Sequence, residues 1–180
     1  DRLKTLYEEA LSHPSVVGLV IGTRPDCVDE QKLDYLAQLA KDNVVIIEYG
    51  IESCYDSTLQ RINRGHDFET ARRAIEMTAE RGIDVGAHFI LGLPGESRQM
   101  MLDACELIND LPIRSAKFHQ LQIVKGTRME KEYAEHQGDF ERFTLDEYLD
   151  FFVDMLERLR PDLYIERFVG EVPPRFVNET

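Results

Sequence analysis

Residues 50–66 read GIESCYDSTLQRINRGH and residues 88–97 read HFILGLPGES, with a helical pattern between them. Polar side chains therefore fall at the ends of apolar, strand-like runs, the position where α/β barrels keep their chemistry. The first phrase follows residues 44–49 (VVIIEY), and the second closes a run over 84–91. Both runs are short and apolar, as parallel strands are. Residues 16–22 (VVGLVIG) are almost wholly apolar and β-branched, which predicts a strand buried on both faces. Further strands are expected over 115–124 and 164–169.

Helical spacing fills the intervals. An opening helix carries Leu3, Leu6, Tyr7, Ala10 and Leu11, and another spans 29–41. Asp56 is expected to cap a short helix with Leu59 and Ile62, and Asp67 a longer one that Gly82 ends. Glu96 or Ser97 opens the helix after the Gly92-Leu93-Pro94-Gly95 turn. A helix is expected over 127–135, and Thr144 with Glu147 forms a capping box for the next, before an irregular Pro173-Pro174 tail. Repeated βα units imply a parallel sheet, either doubly wound or part of a barrel. Four or five strands cannot close an eight-stranded barrel, so an α/β fold with an incomplete (β/α) barrel is expected. One domain spans 1–180, with core βα units over 1–126 and C-terminal helices and tail over 127–180.

The chain has 180 residues, 43% hydrophobic and 31% charged, which suits one soluble core. Its net charge of −13, from 34 acidic and 21 basic residues, opposes non-specific binding to a phosphate backbone. The densest basic stretch is Arg64-Gly65-His66 with Arg61, Arg72 and Arg73; it reads as a solvated helix face or a local RNA-binding pocket. No apolar run reaches membrane-spanning length and no signal-peptide pattern is present, so a cytoplasmic protein is expected. Cys27, Cys54 and Cys105 are dispersed, which fits a reducing compartment and gives no disulfide framework. The helical pattern begins abruptly after Asp1 without a cap, as expected of a piece of a longer protein.

Period-two alternation separates the strand faces. Val44, Ile46, Glu48, Gly50 and Glu52 share one face, opposite Val45, Ile47, Tyr49 and Ile51. Gly86, His88 and Ile90 share a face opposite Val85, Ala87, Phe89 and Leu91. The faces with glycine and polar residues read as a lumen, so Glu48, Glu52 and His88 are expected to point into one cavity. Thr23, Arg24 and Asp26 follow the first strand, and His119, Gln120 and Gln122 lie on the fourth. A carboxylate can accept hydrogen bonds from ribose hydroxyls or a ligand ammonium, and an arginine can pair with a carboxylate. The alternative is a structural network, to which Glu48, the deepest of the three, is closer.

The ordered set GIES, LQRINRGH, a helix, and a strand ending in LGLPGES resembles the second half of the radical S-adenosylmethionine (radical SAM) core. It is similar to the branch containing anaerobic coproporphyrinogen-III oxidase, tRNA methylthiotransferases and the Elongator acetyltransferase subunit. Within it, TRPDC (23–27), RINRGHDF (61–68) and HxLQIVKGT (119–127) resemble a group of bacterial Fe–S oxidoreductases. The resemblance, over about 16–126, implies a six-stranded partial TIM barrel. This chain would supply its last three βα units plus C-terminal helices, with SAM bound across the strand ends. By the same resemblance Glu52 matches a residue that contacts SAM. Arg64 matches an arginine that approaches the methionine carboxylate or ribose, and Val124 lies near the backbone position that meets adenine. His88 stands where the branch has an aspartate near the ribose, and Arg24 stands near its ribose-binding glutamate. Both are departures from the pattern.

Family chemistry needs three closely spaced cysteines to hold a [4Fe–4S] cluster, which Cys27, Cys54 and Cys105 do not provide. The resemblance therefore implies SAM and a cluster in the full-length parent and neither bound to this piece, which is expected to be inactive alone. The parent would cleave SAM reductively and abstract hydrogen from a small molecule, a protein or a tRNA. One rival is a metal-dependent hydrolase with Glu52, His88, His119 and Asp26 as ligands, though no HxH or HxxxH pair is present. Another is a non-catalytic binding scaffold. No membrane partner is expected, and self-association through the exposed edge of the first strand is.

Overall fold

The computed structural model describes residues 2–170 and 173–177; Asp1 lies outside the described residues. Five parallel strands form one sheet in the order β1 (Gly18–Thr23), β2 (Val44–Glu52), β3 (Asp84–Leu91), β4 (Ser115–Gln120) and β5 (Tyr164–Arg167). Strands that follow sequence order without reversal, joined by crossovers of one hand, keep their helices on one face. A doubly wound sheet would reverse direction and cover both faces. The chain is thus a wall of a (β/α) barrel, as expected.

The helices are α1 (Arg2–Leu11), α2 (Glu30–Leu39), α3 (Asp56–Arg61), α4 (Phe68–Ala79), α5 (Arg98–Asn109), α6 (Arg128–Glu135) and α7 (Leu145–Arg158). Asp29, Asp67, Ser97, Thr127 and Thr144 cap α2, α4, α5, α6 and α7 through their side chains. The core lies between sheet and helices. Ile47, Tyr49, Ile51, Val85, Phe89 and Phe118 from the strands meet Leu33, Ile75, Met101, Ile108 and Met155 from the helices. Phe118 stacks on Phe89 at 5.6 Å and meets the edge of Phe152, also at 5.6 Å. The opposite face is only half-buried on β2 and β3, as the alternation predicts.

Several expectations need correction. β1 is not buried on both faces: it is the edge of the sheet, and Val20 on the open face is 63% exposed. β2 runs beyond Tyr49 to Glu52, whereas β4 stops at Gln120 instead of reaching Val124. After one more bond, from Leu121 N to Leu91 O, the chain leaves β4, and Val124 pairs with Val177. β5 ends at Arg167, and the Pro173-Pro174 tail contains a 3-10 turn over Pro174–Phe176. Asp56 does not cap α3. It sits in the first turn and accepts a hydrogen bond from Phe68 N at 2.8 Å, tying α3 to the start of α4.

The exit from β2 positions the site. The register slips between Gly50, opposite His88, and Glu52, opposite Phe89, and Glu52 takes φ of 73°. A non-glycine residue in this left-handed region is strained by about 1–3 kcal/mol and needs its surroundings to hold it there. Ser53 supplies the hold: its hydroxyl donates to Glu96 and accepts from Tyr55 N at 3.0 Å. Glu96 is 5% exposed and also bonds the Thr58 side chain. The glutamate of the LGLPGES turn thus opens no helix; it clamps the serine of GIES.

Two consequences are measurable. Phe118→Ala should cost about 3–5 kcal/mol in urea denaturation, whereas Val20→Thr on the open face should stay within about 0.5 kcal/mol. Burial lifts the Glu96 carboxyl above its ordinary value of 4.5, against the opposing bonds from Ser53 and Thr58. A raised folded-state pKa means that the folded chain holds this proton more tightly than the unfolded one. Its contribution is full below the unfolded pKa and is lost as pH rises through the folded value. Wild type should therefore lose stability relative to Glu96→Gln as pH rises above 4.5; a difference independent of pH would contradict the raised carboxyl.

Candidate functional site

The C-terminal ends of β1 and β2 carry the rim of the site. Asn63 at φ 55° and Gly65 at φ 87° turn the chain after α3, which sends Arg64 back toward β2. The Arg64 guanidinium donates to the Gly50 carbonyl and pairs with Glu52 Oε1 at 3.0 Å. Both groups lie over the bare Cα of Gly50, where an added Cβ would meet Arg64 Nη2 and Glu52 Oε1 at 2.6 Å each. Glycine at position 50 is therefore what lets the pair lie against the strand. Burial raises the Glu52 carboxyl, opposed by Arg64, His88 and His66 in that order. Arg64 Nε and His66 Nε2 are buried with no hydrogen-bond partner among the described residues.

Arg24 stands beside this rim. It donates to Asp26 at 2.9 Å and holds that carboxyl below its ordinary range. Its guanidinium lies 3.5 Å from the position a Cβ on Gly65 would take. Arg24, Glu52 and Arg64 are thus brought to one end of the sheet.

His88 lies one strand over and lower in the lumen. Its Nε2 meets Glu48 Oε2 at 3.1 Å, and Lys117 pairs with the other Glu48 oxygen. Lys117 also reaches Glu166 on β5 at 3.4 Å, so the ladder crosses four strands. Burial pushes the Glu48 pKa up, but the bonds from Lys117 and His88 outweigh it and leave the carboxyl below its ordinary value. His119 packs 5.9 Å from His88 between ring centres. Burial, then Arg167, His88 and Lys117, push its pKa down. Sequence reading placed Glu48 in the lumen but missed Lys117, because an alternating SAKFHQ run does not reveal that its lysine meets a glutamate two strands away.

Val124 is not brought to this cluster. Its carbonyl accepts from Thr127 Oγ1 at 2.6 Å at the start of α6, and it pairs with Val177. Glu52, His88, His119 and Asp26 do not gather as a metal set: among the described residues no group of His, Cys, Asp and Glu is placed to hold a metal ion. Cys54 and Cys105 are buried and Cys27 is exposed. Burial pushes the Cys54 thiol well up and the Cys105 thiol to about 11, so both stay protonated at neutral pH. No described helix is long and apolar enough to cross a membrane.

Arg64 and Glu52 together present a cation and an anion at a strand end, with an unused buried donor beside them. That donor set fits a ligand carrying a carboxylate and hydroxyls, and it offers no thiolate group.

Comparison with known proteins agrees with this fold. Residues 1–108 match the Radical SAM superfamily model and residues 113–177 match the Radical_SAM C-terminal domain. An uncharacterized protein of Methanocaldococcus jannaschii is 37% identical over 98% of this chain and 55% of its own length. YtqA of Bacillus subtilis is 35% identical over 95% of this chain and 52% of its own. The chain thus spans about half the length of the curated relatives it matches. Among solved structures, Elp3 of Methanocaldococcus infernus superposes with a TM-score of 0.77 at 22% identity, covering 89% of this chain and 37% of that one. Coproporphyrinogen III oxidase (HemN) of Escherichia coli gives 0.63 at 16% identity, covering 87% and 35%. The chain belongs to the radical SAM superfamily.

Proposed function

We propose that this chain is the SAM-cradling C-terminal part of a radical SAM core. Its parent protein would abstract hydrogen from a substrate that is a small molecule, a protein or a tRNA. The observation that carries the reading is the Arg64–Glu52 pair lying over Gly50 with Arg64 Nε left unbonded. Arg64 would hold the methionine carboxylate, Glu52 the ammonium or a ribose hydroxyl, and His88 and Arg24 would flank the ribose. Val124 would reach the adenine only through its backbone. When bound together, SAM and a [4Fe–4S] cluster supply a 5′-deoxyadenosyl radical by one-electron cleavage of the sulfonium bond. The residues described here fit SAM and do not fit the cluster, so no step is assigned to this chain beyond holding and orienting the nucleoside.

The test uses the cluster-loaded full-length protein. Arg64→Ala and Glu52→Gln should each weaken SAM binding about 10- to 100-fold, the loss expected for one charge-assisted hydrogen bond. Gly50→Ala should leave the fold intact, because only the flexible ends of Arg64 and Glu52 must move, and still weaken SAM comparably. Unchanged affinity in all three variants, or no 5′-deoxyadenosine from the wild type under reducing conditions, would sink the reading.

A second proposal concerns the chain in isolation. The open edge of β1, with Val17 and Val20 exposed beside it, would pair with a second copy. Light scattering should then show mass rising with concentration for the wild type and not for Val20→Lys.

A further inference from the structure

Glu48 and Lys117 have no place in the SAM contacts above, yet they are among the least exposed charges in the chain, with side chains 12% and 16% exposed. They face the lumen, not the helices. In register, Glu48 is flanked by Gly22 on β1 and Gly86 on β3, so neither neighbouring strand puts a side chain across it. Gly50, also bare, lies beside His88. Only Gly22 leaves open space: Glu48 and Ser115 fill the space over Gly86, and Arg64 and Glu52 fill that over Gly50, so the Glu48–Lys117 pair lies directly against the His88 ring.

Hydrogen-bond logic fixes the state of that ring. Lys117 keeps Glu48 ionised, and an ionised carboxylate can only accept. His88 Nε2, which faces Glu48 at 3.1 Å, must therefore carry the hydrogen. In the neutral ring the lone pair is then on Nδ1, the nitrogen turned away from Glu48. Among the described residues Nδ1 has no hydrogen-bond partner, and the side chain is 30% exposed to the lumen. Glu52 and Arg64 lie over the neighbouring Gly50.

We propose that Lys117 and Glu48 are positioning residues that lock His88 in its Nε2–H tautomer, making Nδ1 a hydrogen-bond acceptor for a hydroxyl of the bound nucleoside. The nucleoside assignment rests on the SAM reading above; the tautomer assignment does not. An asparagine or glutamine in place of the histidine could present either a donor or an acceptor, whereas a histidine held by a carboxylate presents one.

The test is long-range 1H–15N correlation on the 15N-labelled, cluster-loaded full-length protein, at a pH where the imidazole is neutral, with the His88 signals identified by their loss in His88→Gln. Expected are a pyrrole-type Nε2 and a pyridine-type Nδ1 that shifts when millimolar SAM is added. Glu48→Gln and Lys117→Met should both mix the tautomers, and Glu48→Gln should weaken SAM about tenfold in the cluster-loaded protein. A wild-type Nδ1–H tautomer, which needs no variant to detect, overturns the positioning role, as does a tautomer unmoved by Glu48→Gln. If SAM shifts the Arg64 resonances while His88 Nδ1 stays fixed, the nucleoside assignment falls and the SAM reading stands. If neither residue responds to SAM, both fall together.

Discussion

Everything distinctive about this molecule follows from covering a parallel sheet on one face only. Each crossover returns over the same side, so Val45, Ile47, Tyr49, Val85, Phe89 and Phe118 sink into one helix-packed core. Among the described residues the helix-packed core lies on that face alone. Side chains on the other face cannot rely on hydrophobic burial, and the space is divided between small residues and polar groups that must satisfy one another. Glu48, His88, Lys117 and Glu166 do so across four strands. The packed face gives the chain its stability and the open face carries its polar network.

The two faces meet at the end of β2, where the chain must leave the sheet and still aim a carboxylate at the lumen. An undisturbed pleat would carry Glu52 past the rim. The slip after Gly50 and the left-handed backbone at Glu52 turn its side chain toward Arg64. Such a conformation relaxes unless something beyond the strand holds it. The restraint comes from the next βα unit, through Glu96 on Ser53 and Thr58. Two phrases separated by a whole helix therefore act as one device, which is why the spacing between them carries as much information as the residues.

Much of this was legible in the chain. Alternation on β2 and β3 picked out Val45, Ile47, Tyr49, Ile51, Val85, Ala87, Phe89 and Leu91 as the buried face, because period-two burial is a local property of the backbone. The caps at Asp67 and Thr144 were legible for the same reason. The edge at the first strand was expected from the resemblance to a longer core and not from the run itself, which alone read as a strand buried on both faces. An apolar run such as VVGLVIG reads the same whether neighbours flank it or not, and Val20 is exposed because of what lies beside β1, not because of its own residues. Of the two residues expected to open α5, Ser97 does so, and nothing local to Glu96 reveals its partner 43 residues away in sequence. Long-range polar pairs leave little local trace, and the Lys117–Glu48 contact was invisible for the same reason.

The energetics of that last pair say something about its purpose. Removing two charges from water costs several kcal/mol each, and a well-packed apolar pair of similar size would serve stability as well or better. The lumen of β2–β4 has the β-branched neighbours to accept such a pair, since Ile46 and Ile90 already share this face with Glu48 and His88. Keeping a lysine and a glutamate there, next to a histidine and three glycines, forgoes that option. A charged pair placed this way holds a defined pattern of donors and acceptors in a low-dielectric setting, where hydrogen bonds are stronger than at an open surface. Its cost to stability is what the proposed role in positioning His88 would account for.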